Sequence, residues 1–549
     1  MSLKRIRSAH VASGTGTAPV PRLRSTLGSG GNEAVSVPVA SWASRLGDDS
    51  RLEGKLAPQL ARRIEEEILR LGWPVGRALG REEDLATRFG VSRSVLREAL
   101  AITERDGMTR RQRGPGGGLL IAAPAEDVVS SMLGNYLSLA PVDGLHLLQA
   151  FGLLDGLMFQ LAARRCRRED VSRMRELGNR ELADDVDPVW TRAVQLHAGL
   201  LTMTRNPALQ IFGSALAYLG LSRFQASLRG SGDADSLAFA RRIVSLRRGQ
   251  LESVIGGDAA AAIAANAQLG SQWLERYLAT SRATADTHSL SADDALRIAA
   301  RIAAVFHPEQ PVKRADTLAL QLQQAILGGG HRDGDRLDSE AVLLQRYGVS
   351  RGVLREAVRY LERNGVLRTE EGRNGGVCVA AADSTAAARS AVLLLRFLDM
   401  RVDGLLEFSQ DLELAAATAA VQRSRQHGAD VLIPFITAID AQPDTADVQG
   451  HMQRLYEGLA AASGNPIFIV FVQILGGLLR VDSRSTTAAL VAEYTNRYRD
   501  YLSQMRLVAR AMQDGDDSLA RRELLLARRI GGLLRPHARP PSDLLEQLL

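Results

Sequence analysis

Two short runs in the 549-residue chain place arginines where they could each donate a pair of hydrogen bonds. Residues 89–100 read FGVSRSVLREAL and residues 347–358 read YGVSRGVLREAV, nine of twelve positions identical at an offset of 258. The first run carries Arg93, Ser94 and Arg97, and the second Arg351, Gly352 and Arg355. At helical spacing the two arginines of each run lie one turn apart, opposite an apolar stripe that in the first run is Val95, Leu96, Ala99, Leu100 and Thr103. A guanidinium on such a face can bond the O6 and N7 of guanine in a major groove, worth about 1–3 kcal/mol of discrimination. It can also bond a phosphate, which carries no sequence information. The plain alternative is a solvated helix face, the commonest place for arginine. Two matched copies at the same point of the same local pattern favour double-stranded DNA as the partner.

A second group follows each run. Arg111 and Arg113 precede a glycine-rich stretch centred on Gly116, and Arg373 and Asn374 sit inside its counterpart, Gly372 to Gly376. A phosphate loop of a nucleotide enzyme would need Lys-Ser/Thr after the glycines and a place between a strand and a helix, whereas no Lys-Ser/Thr follows and these glycines fall inside a hairpin after a helix. The glycines read instead as turns of hairpins that reach phosphates or the minor groove.

These residues need elements to hold them. Apolar Leu56, Leu60, Ile64, Ile68 and Leu71 predict a helix over 56–71. A short helix over 82–89, a turn at Gly90, a helix capped by Ser92 and ended by Gly107, and a hairpin over 108–123 follow. The second copy predicts helices over 318–327, 339–347 and 350–364 and a hairpin over 366–381. Helix, helix, turn, helix, hairpin is the order of a winged helix-turn-helix. After each hairpin come about 150 residues of Leu/Ala/Arg-rich amphipathic pattern, a helical bundle by its period. Repeats also pair Gly257-Asp258 with Gly515-Asp516 and Asn206-Pro207 with Asn465-Pro466, so the duplication spans a multidomain unit and not a short solenoid repeat.

Composition limits the alternatives. Lys plus Arg number 68 against 62 Asp plus Glu, a net charge of +6 that permits an anionic partner without requiring one. Cys166 and Cys378 are too far apart for a metal-type spacing, and their small number fits a reducing cytoplasm. The basic start of the chain has no apolar segment after it, which speaks against secretion. The longest uncharged run, Gly458 to Leu479, holds Ser463, Asn465, Pro466 and Gln473 and reads as a buried core helix rather than a membrane span. No His-Glu-x-x-His, Gly-x-Ser-x-Gly or Walker loop occurs, and the cluster Asp184, Asp185, Asp187 reads as a solvated loop. Catalytic residues are therefore expected to be none.

The run VSRxVLREA, with LGREEDLA at 79–86 before it and a glycine-rich wing after it, resembles the DNA-binding domain of GntR-family bacterial transcription regulators. The helical remainder is similar to the effector domain of the FadR-like subfamily. The resemblance implies a mainly α chain with two winged helix-turn-helix domains (53–123 and 313–382) and two helical effector-like domains (124–280 and 383–536). Between the halves lies a linker (281–312), with tails at 1–52 and 537–549. It implies operator DNA as partner, a small organic effector, a cytoplasmic location and repression as the default expectation. Many members hold a divalent metal with one Asp and three His, and those positions fall at Ala193, His197, Arg247 and Leu269 in the first copy. In the second they are Met452, Tyr456, Met505 and Ala527. Seven of these eight cannot ligate, so no metal and no cofactor are expected, and an effector would bind through apolar walls and arginines. Two heads in one chain suggest a single-chain pseudo-dimer with unequal half-sites, a homodimer remaining open. The competing expectation is a DNA-tethered interaction protein whose helical domains dock another protein.

Overall fold

The computed structural model describes residues 56–532 apart from 106, 113–117, 125, 141, 224–232, 282–292, 294, 297–298, 300–311, 329–330, 332–333, 364, 371–375, 381–383, 399–401, 442–447 and 480–487. Both expected tails and most of the expected linker lie outside the described residues, as do Arg113, Gly116, Arg373 and Asn374.

The first head begins with α1 (Leu56–Arg70), β1 (Ala78–Gly80), α2 (Glu82–Phe89) and α3 (Arg93–Arg105) and ends with β2 (Thr109–Gln112) and β3 (Gly118–Ile121). Leu60, Ile64 and Ile68 turn one face of α1 into a core with Leu85, Leu96, Leu100 and Ile121. Gly90 sits at φ 66, the left-handed conformation that ends α2, and the Ser92 hydroxyl then accepts the Val95 N–H at 3.3 Å to start α3. The hairpin expected over 108–123 is part of a three-stranded antiparallel sheet, ordered β1-β3-β2. The sequence reading missed β1 because three residues, Ala-Leu-Gly, carry no alternation, and the strand exists only by pairing with β3.

The second head repeats this with α11 (Arg314–Gly328), α12 (Glu340–Tyr347), α13 (Arg351–Arg363), β4 (Leu367–Glu370) and β5 (Gly376–Val379). Its first strand has shrunk to one bridge, Arg336 to Cys378, the counterpart of Ala78 to Leu120 in the first head.

Between the heads run α4 (Glu126–Leu139), α5 (Gly144–Arg165), α6 (Arg168–Asn179), α7 (Val186–Met203), α8 (Pro207–Arg223), α9 (Asp233–Ile255) and α10 (Ala259–Ser281). The second half supplies α14 (Ser384–Phe397), α15 (Val402–His427), α16 (Ile433–Asp440), α17 (Val448–Ser463), α18 (Pro466–Leu479), α19 (Ala488–Gln513) and α20 (Asp517–Gly532). The uncharged run 458–479 is not the single helix expected from its composition. Gly464 at φ 73 and Asn465-Pro466 break it into the end of α17 and the start of α18, both buried in the core. At the equivalent point of the first half Arg205 takes φ 48, held by Arg165 O, Met203 O and the Asp170 carboxylate at 2.6 Å. Helix α5 is long and apolar enough to cross a membrane by length and composition, but Leu147, Leu154, Met158 and Phe159 are buried in this core.

The apolar side chains of both helical regions form one continuous core, and the halves meet through repeated contacts. Asn206 donates to Gly404 O at 3.1 Å, and its counterpart Asn465 donates to His146 O at 3.0 Å, where His146 is the counterpart of Gly404. Phe212 packs against its own counterpart Phe471, the rings tilted by 30° with centroids 4.2 Å apart. Reciprocal contact of equivalent residues is what a two-fold interface between identical subunits produces. The heads are exchanged across it. In the first head, Glu65 of α1 pairs with Arg389 and Arg396 of α14, and Trp73 packs on Phe397 at 5.4 Å. In the second, Gln323 of α11 donates to Asn135 of α4 at 2.7 Å. Each head rests on the helix that opens the other half's helical region.

Candidate nucleic-acid interface and effector cavity

On α3, Leu96, Ala99, Leu100 and Thr103 are buried, with Val95 half-buried, which leaves the arginines outward. The side chains of Arg93, Arg97, Arg351 and Arg355 are 64–77% exposed. They are not idle. Arg93 pairs with Glu83 at 2.8 Å and Arg97 with Glu82 at 3.1 Å, while Arg111 reaches Glu104 at 3.3 Å and Glu82 at 3.7 Å. Ser94 shares a hydroxyl contact of 2.9 Å with Ser92. In the second head Glu340 alone serves both arginines, Arg351 at 3.2 Å and Arg355 at 3.8 Å. Gly352 stands beside them, where a Cβ would meet the Ser350 hydroxyl oxygen at 3.8 Å, ordinary van der Waals contact. The structure thus brings Arg93, Arg97 and Arg111 together around the carboxylates of α2, and Arg351 and Arg355 around the matching helix.

The partners Glu82 and Glu340 were not singled out from the sequence, whereas Glu83 stands out there as a position where the heads differ, facing Ala341. Glu82 and Glu340 fall at the repeat offset, a signal that could have marked them. Such exposed pairs contribute about 0–1 kcal/mol each, so a phosphate or guanine edge can displace the carboxylate at small cost.

A second site lies in the first helical region. A cavity of about 430 Å³ opens between α5, α7, α9 and α10, walled by Phe151, Trp190, Ile243, Trp273 and Tyr277 among others. Three of the positions where the family resemblance places metal ligands, Ala193, His197 and Arg247, line it together with the fourth, Leu269. Its polar floor is Asp155, His197, Arg247 and Asn266. Arg247 holds Asp155 Oδ2 at 3.2 Å and Gln250 Oε1 at 3.0 Å. His197 Nδ1 stands 3.6 Å from Asp155 Oδ1, beyond hydrogen-bond reach, and neither atom has a hydrogen-bond partner. Burial pushes His197 down to about 4 from 6.5, with Asp155 pulling it up and Arg247 adding to the depression. A neutral imidazole is therefore present at physiological pH. A divalent cation does not fit these residues, because a guanidinium already neutralises the one carboxylate and only one histidine is at hand. Among the described residues no three of His, Cys, Asp and Glu cluster as a metal site would require. Sequence reading found Arg247 only as a lost ligand and did not find Asp155, whose counterpart Glu413 at the repeat offset was the available signal.

The equivalent place in the second half is occupied by side chains. Met452, Tyr456, Tyr501 and Met505 replace Ala193, His197, Ile243 and Arg247, and all four are buried. Tyr501 donates to the Tyr456 hydroxyl at 3.2 Å. Arg528, which replaces Gly270, pairs with Glu413 at 2.6 Å. Burial holds the Tyr501 phenol well above its ordinary range, with Tyr456 and Glu413 adding to the effect. Elsewhere Asp184 pairs with Arg241 at 2.5 Å on the surface, and Cys166 and Cys378 are free thiols.

Comparison with known protein families matches both heads and the second helical region. The pattern of bacterial regulatory proteins of the gntR family matches twice, at residues 56–118 and 314–377, and the FCD domain matches residues 404–526. RmpR of Mycobacterium gastri, described as an HTH-type transcriptional regulator, is 31% identical over 138 residues, which cover 25% of this chain and 49% of that protein. The match therefore spans about half the length of that relative. The HTH-type transcriptional repressor NanR of Escherichia coli K12 is 25% identical over 211 residues, 37% of this chain and 79% of that protein. A solved GntR structure from Streptococcus agalactiae overlaps 40% of this chain and 98% of its own, at 17% identity and a TM-score of 0.27. The chain thus carries the DNA-binding domain of gntR-family bacterial regulatory proteins twice, and an FCD domain in its second half.

Proposed function

We propose that this chain is a transcription regulator that places two winged helix-turn-helix heads on one operator without a second protein molecule, and that the first helical domain senses a small organic effector. Repression is the expected sign, and the cytoplasm the place of action. The observation that carries the reading is the reciprocal contact of equivalent residues within one chain, Asn206 to Gly404 and Asn465 to His146. A family member with one head per chain must pair with a second copy to gain such contacts. Here the peptide linkage supplies a partner at an effective concentration of about mM, so association does not fade on dilution. The heads also differ at Ser94 against Gly352 and at Glu83 against Ala341, which supports unequal half-sites. Arg93, Ser94, Arg97, Arg111, Arg351, Gly352 and Arg355 form the proposed contact set, joined from the wings by Arg113, Gly116, Arg373 and Asn374.

Selection of bound DNA from random sequence followed by mass measurement of the complex tests this. One chain per minimal operator with two dissimilar half-sites is the expected result. Two chains on one minimal operator, or equal preference for a perfect palindrome, would overturn it.

A further inference from the structure

We infer that each chain has one effector site, the cavity of the first helical domain, and that it takes a largely apolar, uncharged molecule bearing a hydroxyl. This deepens the proposed effector role and rests on it. The argument begins with charge. Asp155 and Arg247 neutralise one another across 3.2 Å, so the ion pair on the polar floor carries no net charge to offer a ligand. A carboxylate entering this apolar space would add an uncompensated negative charge beside Asp155, and an ammonium an uncompensated positive one beside Arg247. What the floor lacks is hydrogen bonds. Asp155 Oδ1 is an acceptor with no donor, His197 Nδ1 has no partner, and both atoms are buried 3.6 Å apart. A hydroxyl oxygen placed within hydrogen-bond distance of both donates to the carboxylate and accepts from the imidazole N–H. The walls, with Phe151, Trp190 and Trp273, suit an apolar or aromatic body.

The second half supplies an internal control. There the Ser409 hydroxyl donates to Glu413 Oε1 at 2.7 Å, so the chain's own hydroxyl satisfies the carboxylate at Asp155's counterpart. Ser409 stands where the first half has Phe151. Arg528, Tyr456 and Tyr501 fill the remaining space, so the second domain is built as a permanently occupied version of the first.

The experiment uses the full chain without DNA and three probes of one shape: 6-phenylhexan-1-ol, 6-phenylhexanoate and 6-phenylhexylamine. Titration calorimetry should show the alcohol saturating at one per chain, with a dissociation constant of about millimolar or tighter, and at least about tenfold tighter than either charged probe. Gly270→Arg copies the second half, and a side chain at 270 has nothing within 4 Å of its Cβ, so the fold should survive while binding is lost. Ala193→Met is the second filling variant, should the first misfold, with thermal unfolding as the check on both. Two alcohols per chain, tighter binding of the carboxylate, unchanged binding in the filled variants, or no saturable binding of the alcohol would each overturn the inference. The regulator reading fails differently. Alcohol binding that leaves operator affinity unaltered removes the effector role but keeps the site, whereas intact operator binding without alcohol binding removes the site alone.

Discussion

The two helical regions correspond residue by residue along much of their length, yet the first keeps a cavity of about 430 Å³ where the second packs Met452, Tyr456, Tyr501, Met505 and Arg528. Their mutual surface did the opposite. Asn206 and Asn465 make the same bond in both directions, and Phe212 and Phe471 meet as equivalents. The difference teaches where two corresponding halves are free to differ. A contact that bridges the halves needs both partners at once, so altering one leaves a buried polar group or a void in the other. A domain interior answers only to its own packing, and one copy can fill its cavity while the other stays open.

The strongest test of this comparison removes the buried carboxylate from each interior. Asp155→Ala and Glu413→Ala should each destabilise by about 3–5 kcal/mol, since Arg247 and Arg528 would be left charged and buried. Denaturant unfolding reads both. A cost confined to the second half would mean that the open cavity hydrates Arg247 and that the two floors are not alike.

Next in size is pH. His197 titrates at about 4 when folded and near 6.5 when unfolded, so between these values the unfolded chain binds more protons. Stability is complete above about pH 6.5 and is lost as pH falls toward 4, by up to about 3 kcal/mol. His197→Tyr, which copies Tyr456, should flatten that part of the stability profile. An unchanged profile would show that another group sets it.

The heads give a smaller effect. Arg97→Ala and Arg355→Ala should each weaken specific operator binding by about 1–3 kcal/mol if a base is read, whereas loss of a phosphate contact alone weakens all sequences alike. Equal affinity of both variants with the parent on the selected operator would remove the arginines from the interface.

The smallest effect separates the heads by their carboxylates. Glu340→Gln frees two arginines at once and Glu82→Gln frees Arg97 and loosens Arg111, each changing DNA affinity by about 0–1 kcal/mol in favour of binding. Salt-dependent gel shifts would show it, and weaker binding in either variant would mean that the carboxylates orient the arginines rather than restrain them.

Much of the fold was legible in the chain. The helical periods of α1, α2 and α3, the Ser92 cap and the glycine stops are local signals, each decided within a turn or two of sequence. The recognition of a repeat needed only self-comparison. The missing pieces, apart from the break at Gly464, share a cause, since each depends on residues far apart in sequence. Strand β1 exists because β3 lies beside it, and its counterpart is reduced to the Arg336 bridge. The break at Gly464 was hidden because apolar composition says that a segment is buried but not that it is one helix. Sequence alone determined two DNA-reading heads with Arg93, Arg97, Arg351 and Arg355 outward, because a helix turns an apolar stripe inward wherever it packs. Only tertiary structure decided that Asp155, His197 and Arg247 share a floor, that Arg528 closes the matching space, and that each head rests on the other half. Those are distances between residues tens to hundreds of positions apart, and no local preference encodes them.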